Sequence, residues 1–357
     1  MTKTGTGLVR LRAELTGLAA VLSLVVPAVC QAAAAAAVPP ELAAQASPAA
    51  ADVAPDEAAP EFATPTTVDR AGRIIAPVEI NGRGPFKFIL DTGANRSAMS
   101  AATAEALGLV PDEGALVSVH GITGSAVLPV VNVVAFRAGD LVFEDQRLPV
   151  LPAAVFDAGV HGILGIDSLQ QARIEVDFVR DSVTIRRSQG RSARKGQIVV
   201  PARLHYGGLL LVDGRVGGVS VKAILDSGAE RSLGNEALRT ALDERARHPK
   251  EGVATKVIGA TPQVADATSI AAPAIEIGGA TLKNLTVTYA DLHVFDVWSL
   301  LDEPALLIGM DLLGALEKFV VDYPRREFHL KPVGSRQPSV RRCGGTECQS
   351  RIPQPGT

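Results

Sequence analysis

The chain has 357 residues, 47% hydrophobic and 20% charged, with a formal net charge of −3. That supplies more than one core, and a near charge balance without a long basic run excludes nucleic acid as a partner. The three cysteines, Cys30, Cys343 and Cys348, lie far from the motifs described below, which argues against thiol catalysis.

Lys3, Arg10 and Arg12 precede an apolar block at 18–29 and an Ala-rich stretch at 32–37. Basic flank, apolar centre and small residues read as a secretory signal cleaved after Cys30, Ala32 or Ala34, or as an uncleaved membrane anchor. Residues 1–38 therefore predict export to the periplasm or the medium, with membrane contact only through that anchor. Residues 39–67 are Ala, Pro and acidic, too poor in apolar bulk to repay chain entropy, and read as a tether.

Folded material is expected from residue 68. There the run Phe86-Lys87-Phe88-Ile89-Leu90 drives into Asp91-Thr92-Gly93-Ala94. The same phrase returns 135 positions later, as Val221 to Leu225 followed by Asp226-Ser227-Gly228-Ala229. Each run reads as a buried strand, so each carboxylate stands at the edge of a core. A buried carboxylate is costly unless something pairs with it or uses it. Two of them at strand ends suggest that they meet.

The repeat continues in order. Ser97 to Ser100 precede a helical pattern at 101–107, and Ser232 to Asn235 precede one at 236–242, with a Ser or Asn placed to cap each. Gly-centred hairpin tips follow, at His120-Gly121-Ile122-Thr123-Gly124 and at Gly259-Ala260-Thr261-Pro262. Then come Ile163-Leu164-Gly165 and Leu307-Ile308-Gly309. Behind these, Val176-Asp177-Phe178 and Val321-Asp322-Tyr323 lead into final strands at 182–186 and 327–330. The pattern predicts an all-β chain of two homologous lobes, 68–190 and 191–332, joined by a polar basic linker near 188–196. The tail, 333–357, reads as disordered. Cys343 and Cys348 read either as a small disulfide loop or as two free thiols.

These residues resemble the aspartic peptidases, specifically the retropepsin-like branch, over residues 68–332. The resemblance rests on the duplicated Asp-Thr/Ser-Gly-Ala and the duplicated apolar-apolar-Gly. It implies two β-barrel lobes with a few short helices, fused in one chain as in bacterial two-domain members, with the active site between them. It also implies a catalytic pair, Asp91 and Asp226. Thr92 and Ser227 would cross-link the two loops, and Gly93 and Gly228 would allow close backbone approach. Gly165 and Gly309 would make room for the loops, and the two tips would act as flaps on a bound peptide. His120 stands beside the first tip.

The chemistry fits those residue types. Hydrolysing a peptide without a metal or covalent nucleophile needs one ionised carboxylate as base and one neutral carboxylic acid as proton donor. Two adjacent carboxyls that share a proton provide both. A peptide or protein substrate, no cofactor, no metal and activity as a monomer follow; a homodimer of chains is the other arrangement. Pepsins usually carry Ser or Thr where this chain has Ala94 and Ala229, so the optimum is expected nearer neutral than strongly acidic pH. The competing reading is a peptide-binding module that kept the fold without turnover.

Other titratable residues receive blander readings. Asp167 and Asp311 are expected to cap helix starts. Asp177 and Asp322 are expected in strand turns near the lobe interface. Arg96 and Arg231 are expected as salt-bridged surface or inter-lobe residues. The six histidines show no close metal-ligand spacing.

Overall fold

A computed structural model describes residues 63–65, 67–69, 72–190 and 193–333. The apolar N-terminal segment, most of the tether and the Cys-bearing tail lie outside the described residues. Among the described residues no helix is long and apolar enough to cross a membrane.

The first lobe is a sheet that closes on itself. Its strand order is Thr67–Val68, Ile74–Ile80, Arg83–Leu90, Gly162–Leu164, Ala98–Ser100, Leu141–Leu151, Ser125–Ala138 and Leu116–His120. A further pairing of Ile74–Ile80 with Ser125–Ala138 closes the sheet into a barrel. Alternation along these strands sends Ile74, Ala76, Val78 and Ile80 inward, where they meet Val131, Val133 and Phe136. Phe88 packs edge-on against Phe136 with ring centres 5.7 Å apart.

The second lobe repeats this plan. Leu209–Val216, Val219–Leu225, Ala305–Ile308, Leu233–Gly234, Thr286–Tyr289, Val264–Ala271 and Val253–Ile258 follow one another across its sheet. All four residues of Ala305–Ile308 are buried. That unbroken apolar run suits a strand covered on both faces, and it lies parallel to Val219–Leu225. Its counterpart Gly162–Leu164 lies parallel to Arg83–Leu90. In both lobes the residue just before the Asp pairs with the last residue before the Gly: Leu90 with Leu164, Leu225 with Ile308.

Both expected helices form. Ala101–Leu107 is capped by Ser100, whose side chain accepts from the Thr103 N–H at 3.1 Å. Glu236–Arg245 is capped by Asn235, which accepts from the Leu238 N–H at 2.9 Å, and it runs three residues past the expected end. Its polar last turn, Asp243 to Arg245, carries no apolar signal that the sequence pattern could register.

The same sheet continues past Leu209–Val216 and binds the lobes together. Beyond Leu209–Val216 its order is Ile198–His205, Glu327–Pro332, Leu316–Asp322, Ala172–Asp177, Ser182–Arg187 and Ala63–Pro65. The central pairing, Ala172–Asp177 against Leu316–Asp322, joins one lobe to the other antiparallel. It opposes Arg173 to Asp322 and Asp177 to Lys318, so the ion pairs follow from register. Arg173 donates to Asp322 at 2.9 Å, with side chains 3% and 0% exposed. Lys318 meets Asp177 at 2.9 Å and Glu175 at 2.6 Å. Burial works against ionisation of Asp177, but Lys318 and the Arg180 N–H outweigh it and hold the carboxyl at about 2. Asp177 and Asp322 are thus inter-lobe ion-pair partners as well as strand-end residues.

Candidate active site

Each Asp loop hangs from its lobe by one backbone bond of the same kind. The Asp91 N–H donates to the Leu164 carbonyl and the Asp226 N–H to the Ile308 carbonyl, both at 3.0 Å. This is the use of Ile163-Leu164 and Leu307-Ile308: they extend the sheet under the turn and anchor the aspartate's own amide.

The turns then lock to each other. The Thr92 hydroxyl donates to the Leu225 carbonyl at 2.8 Å and accepts from the Ser227 N–H at 3.0 Å. The Ser227 hydroxyl donates to the Leu90 carbonyl at 2.7 Å and accepts from the Thr92 N–H at 3.2 Å. Both side chains are buried, at 1% and 0% exposed, and these four bonds satisfy the polar groups of both strand ends. The expected cross-link is present.

Above this lattice the carboxyls of Asp91 and Asp226 come within hydrogen-bonding reach of each other. The Gly93 N–H donates to Asp91 Oδ1 at 2.8 Å, and the N–H groups of Gly228 and Ala229 donate to Asp226 Oδ1 at 2.9 and 3.0 Å. A Cβ on Gly93 would fall 2.3 Å from Asp226 Cγ, and one on Gly228 would fall 2.2 Å from Asp91 Cγ. Each glycine is needed by the other lobe's carboxylate. Burial raises the pKa of Asp91; burial, then the charge of Asp91, raise that of Asp226 well above the usual carboxylate range. Ala94 and Ala229 offer no side-chain hydroxyl to oppose this.

A sequence model of the family described as aspartyl protease matches residues 76–168 and again 212–312, once in each lobe and over more than half the chain. The chain belongs to the aspartyl protease family. No curated protein matches it. The two matches fall on the two barrels, so this aspartyl protease family member is a two-lobed, retropepsin-like chain.

Gly165 and Gly309 make room for the Asp loops. A Cβ on either would fall 2.5 Å from the carbonyl carbon of Arg96 or Arg231, and one on Gly309 would also fall 3.0 Å from the Ala229 carbonyl oxygen. The space admits chiefly the limb leaving the Asp turn, and at Gly309 the end of the turn as well. Asp167 and Asp311 correct the expectation. Gly165 and Gly309 occupy the cap positions of the short turns, and the aspartates bind the departing limb, with Asp167 also accepting from the Ser168 N–H of its own turn at 2.8 Å. Asp167 accepts from the Ser97 N–H and hydroxyl at 2.8 and 2.7 Å, and Asp311 from those of Ser232 at 3.1 and 2.7 Å. The Ser97 and Ser232 hydroxyls in turn accept from the Gly165 and Gly309 N–H groups. The repeat of both Ser and Asp was the available signal for this bracket. Arg96 and Arg231 are exposed, and Arg231 approaches Glu230 at 3.7 Å.

The tips form the two expected hairpins, Leu116–His120 with Ser125–Ala138 and Val253–Ile258 with Val264–Ala271. They also touch each other. Thr123 donates to the Gln263 carbonyl at 2.7 Å, and the Gln263 amide donates to the Ser125 carbonyl at 3.0 Å. Thr261 is buried at this seam, 3.4 Å from Thr123. Gly121, Gly124, Gly259 and Ala260 form the turns around it, with Gly121 facing Thr261 and Gly124 facing Gln263. Ile122 accepts from the Val294 N–H at 3.2 Å, and His120 faces His293 rather than standing alone. His293 carries no motif and was not readable from sequence.

Proposed function

We propose that this chain is an aspartic endopeptidase that hydrolyses an extended peptide with water held between Asp91 and Asp226. The observation that carries this reading is the mutual lock of the two Asp turns, which leaves the two carboxyls in contact. Contact in a buried setting favours one shared proton, hence a base and an acid in the same site. The ionised member takes a proton from water as its oxygen attacks the scissile carbonyl carbon. The neutral member gives its proton to the carbonyl oxygen, forming a tetrahedral diol. On collapse the dyad passes its proton to the departing amine nitrogen and takes one proton back from a diol hydroxyl, which leaves a carboxylic acid and an amine and restores the single shared proton. No covalent intermediate and no metal is required.

In this reading the hairpin tips bearing His120 to Gly124 and Gly259 to Thr261 close on the peptide and limit water. The peptide binds as an added strand with side chains alternating between pockets. One chain brings both aspartates, so a monomer suffices. The basic-then-apolar N-terminal pattern supports export to the periplasm or the medium, as a cleaved or an anchored chain.

The test is incubation of the purified chain with a mixed peptide library, with internal cuts read by mass spectrometry. A peptide analogue bearing a tetrahedral hydroxyl at the scissile position should block every cut. Peptides that bind and stay whole would instead favour a non-catalytic binding module. The rate on any cut peptide should peak at weakly acidic to neutral pH, because both carboxyls titrate above the ordinary range. A profile still rising at about pH 2 contradicts that reading.

A further inference from the structure

We infer that His120 and His293 form a latch that holds the first flap closed against the second lobe, and that it releases when both imidazoles are charged. His120 ends the strand Leu116–His120 at the flap, and His293 begins the helix His293–Val297 of the other lobe. Their Nδ1 and Nε2 atoms are 3.0 Å apart, with the rings stacked 5.3 Å between centres. Beside them the Val294 N–H donates to the Ile122 carbonyl, so side chains and backbone join the same two elements.

The pair is a departure from the repeat. In the other half, the position matching His120 is Ile258, and the turn matching His293–Val297 is Ala153–Val155, which is Ala-Ala-Val. The second flap therefore lacks the equivalent contact. It rests on Thr123 and Ser125 of the first flap instead. Holding His120 in place thus holds both tips.

A nitrogen–nitrogen hydrogen bond needs one donor and one acceptor. Two neutral rings satisfy it, and one charged ring strengthens it. Two charged rings present two donors and like charge, so the second proton breaks the bond. Imidazoles take up protons in the range of about pH 5 to 8. Few other charges bear on the pair. The strands of the first flap carry no charged side chain between 116 and 136. In the second flap Lys256 pairs with Asp266 at 2.8 Å. On the His293 side, Asp291 accepts from the Glu236 N–H, and Asp296 stands on the same short helix as His293.

His120 and His293 are positioning residues in this inference, which rests on the peptidase reading only for its kinetic consequence. The direct test is hydrogen exchange of the amides in 116–130, corrected for intrinsic rates, at about pH 7.5 and about pH 5. Wild type should exchange about fivefold faster at the lower pH, the ratio expected for one lost hydrogen bond. The double variant His120→Asn with His293→Gln keeps a donor and an acceptor without titrating, and its exchange should be the same at both. His120→Ala should exchange fast at both. On a cut fluorogenic peptide, wild-type KM should rise toward low pH while that of the amide pair stays flat. If wild type and the amide pair respond to pH alike, or His120→Ala leaves exchange unchanged, the latch is overturned. Exchange needs no turnover, so this outcome is distinct from failure to cut peptides.

Discussion

Asp91→Asn and Asp226→Asn should each lower kcat by about 10³-fold or more on any peptide that wild type cuts, and the double variant should be no worse than either single one. The reason is that in the proposed mechanism the base and the acid exist only as a pair. Asparagine in either position removes the shared proton and leaves the other carboxyl to ionise alone. Loss of one member is therefore loss of the mechanism. A twofold loss in one variant and a thousandfold loss in the other would mean that a single carboxylate does the chemistry. The same variants carry a stability signature of known sign. Both carboxyls titrate above their unfolded values, so their contribution is present at low pH and declines as pH rises through the folded pKa. Each asparagine variant should thus gain stability over wild type on going from about pH 4 to about pH 8, as measured by urea unfolding.

Asp322→Ala should destabilise the fold by about 3–5 kcal/mol, seen as a lower unfolding midpoint. Asp322 is fully buried between the lobes, where it accepts from Arg173 at 2.9 Å and from the Ser188 hydroxyl at 2.8 Å. Removing it strands a guanidinium that is 3% exposed. The double variant Asp322→Ala with Arg173→Met should recover much of the loss, because no unpaired charge is left. If it recovers nothing, the energy lies in the Asp322 contacts to Ser188 and the Arg325 N–H rather than in the ion pair. Activity should fall with stability in both, since this sheet holds the two Asp loops at their working distance.

Much of this was legible because the chain states its plan twice. Leu90-Asp91-Thr92-Gly93 and Leu225-Asp226-Ser227-Gly228 announce buried strands ending in polar turns, and each copy supports the reading of the other. Ser100 and Asn235 read correctly as caps because a cap is a local device. What escaped depends on pairing across long distances. The pairing of Asp167 with Ser97 and of Asp311 with Ser232 spans separate loops, so neither aspartate shows its partner in its own neighbourhood. Arg173 and Lys318 gain meaning only from the antiparallel register between lobes. His293 sits 173 positions from His120, outside any motif. Gly165 reads from sequence as a space-making residue, but the Arg96 backbone that fills the space comes beside it only through folding.

The most direct measurement of the central claim is a count of protons on the dyad by carboxyl ¹³C NMR of aspartate-labelled protein across the pH range. Asp91 and Asp226 should hold one proton between them well above the ordinary carboxylate range, and their signals should move together. Replacing either by asparagine should abolish the shared step. Two independent carboxyls, both ionised at about pH 5, would contradict it.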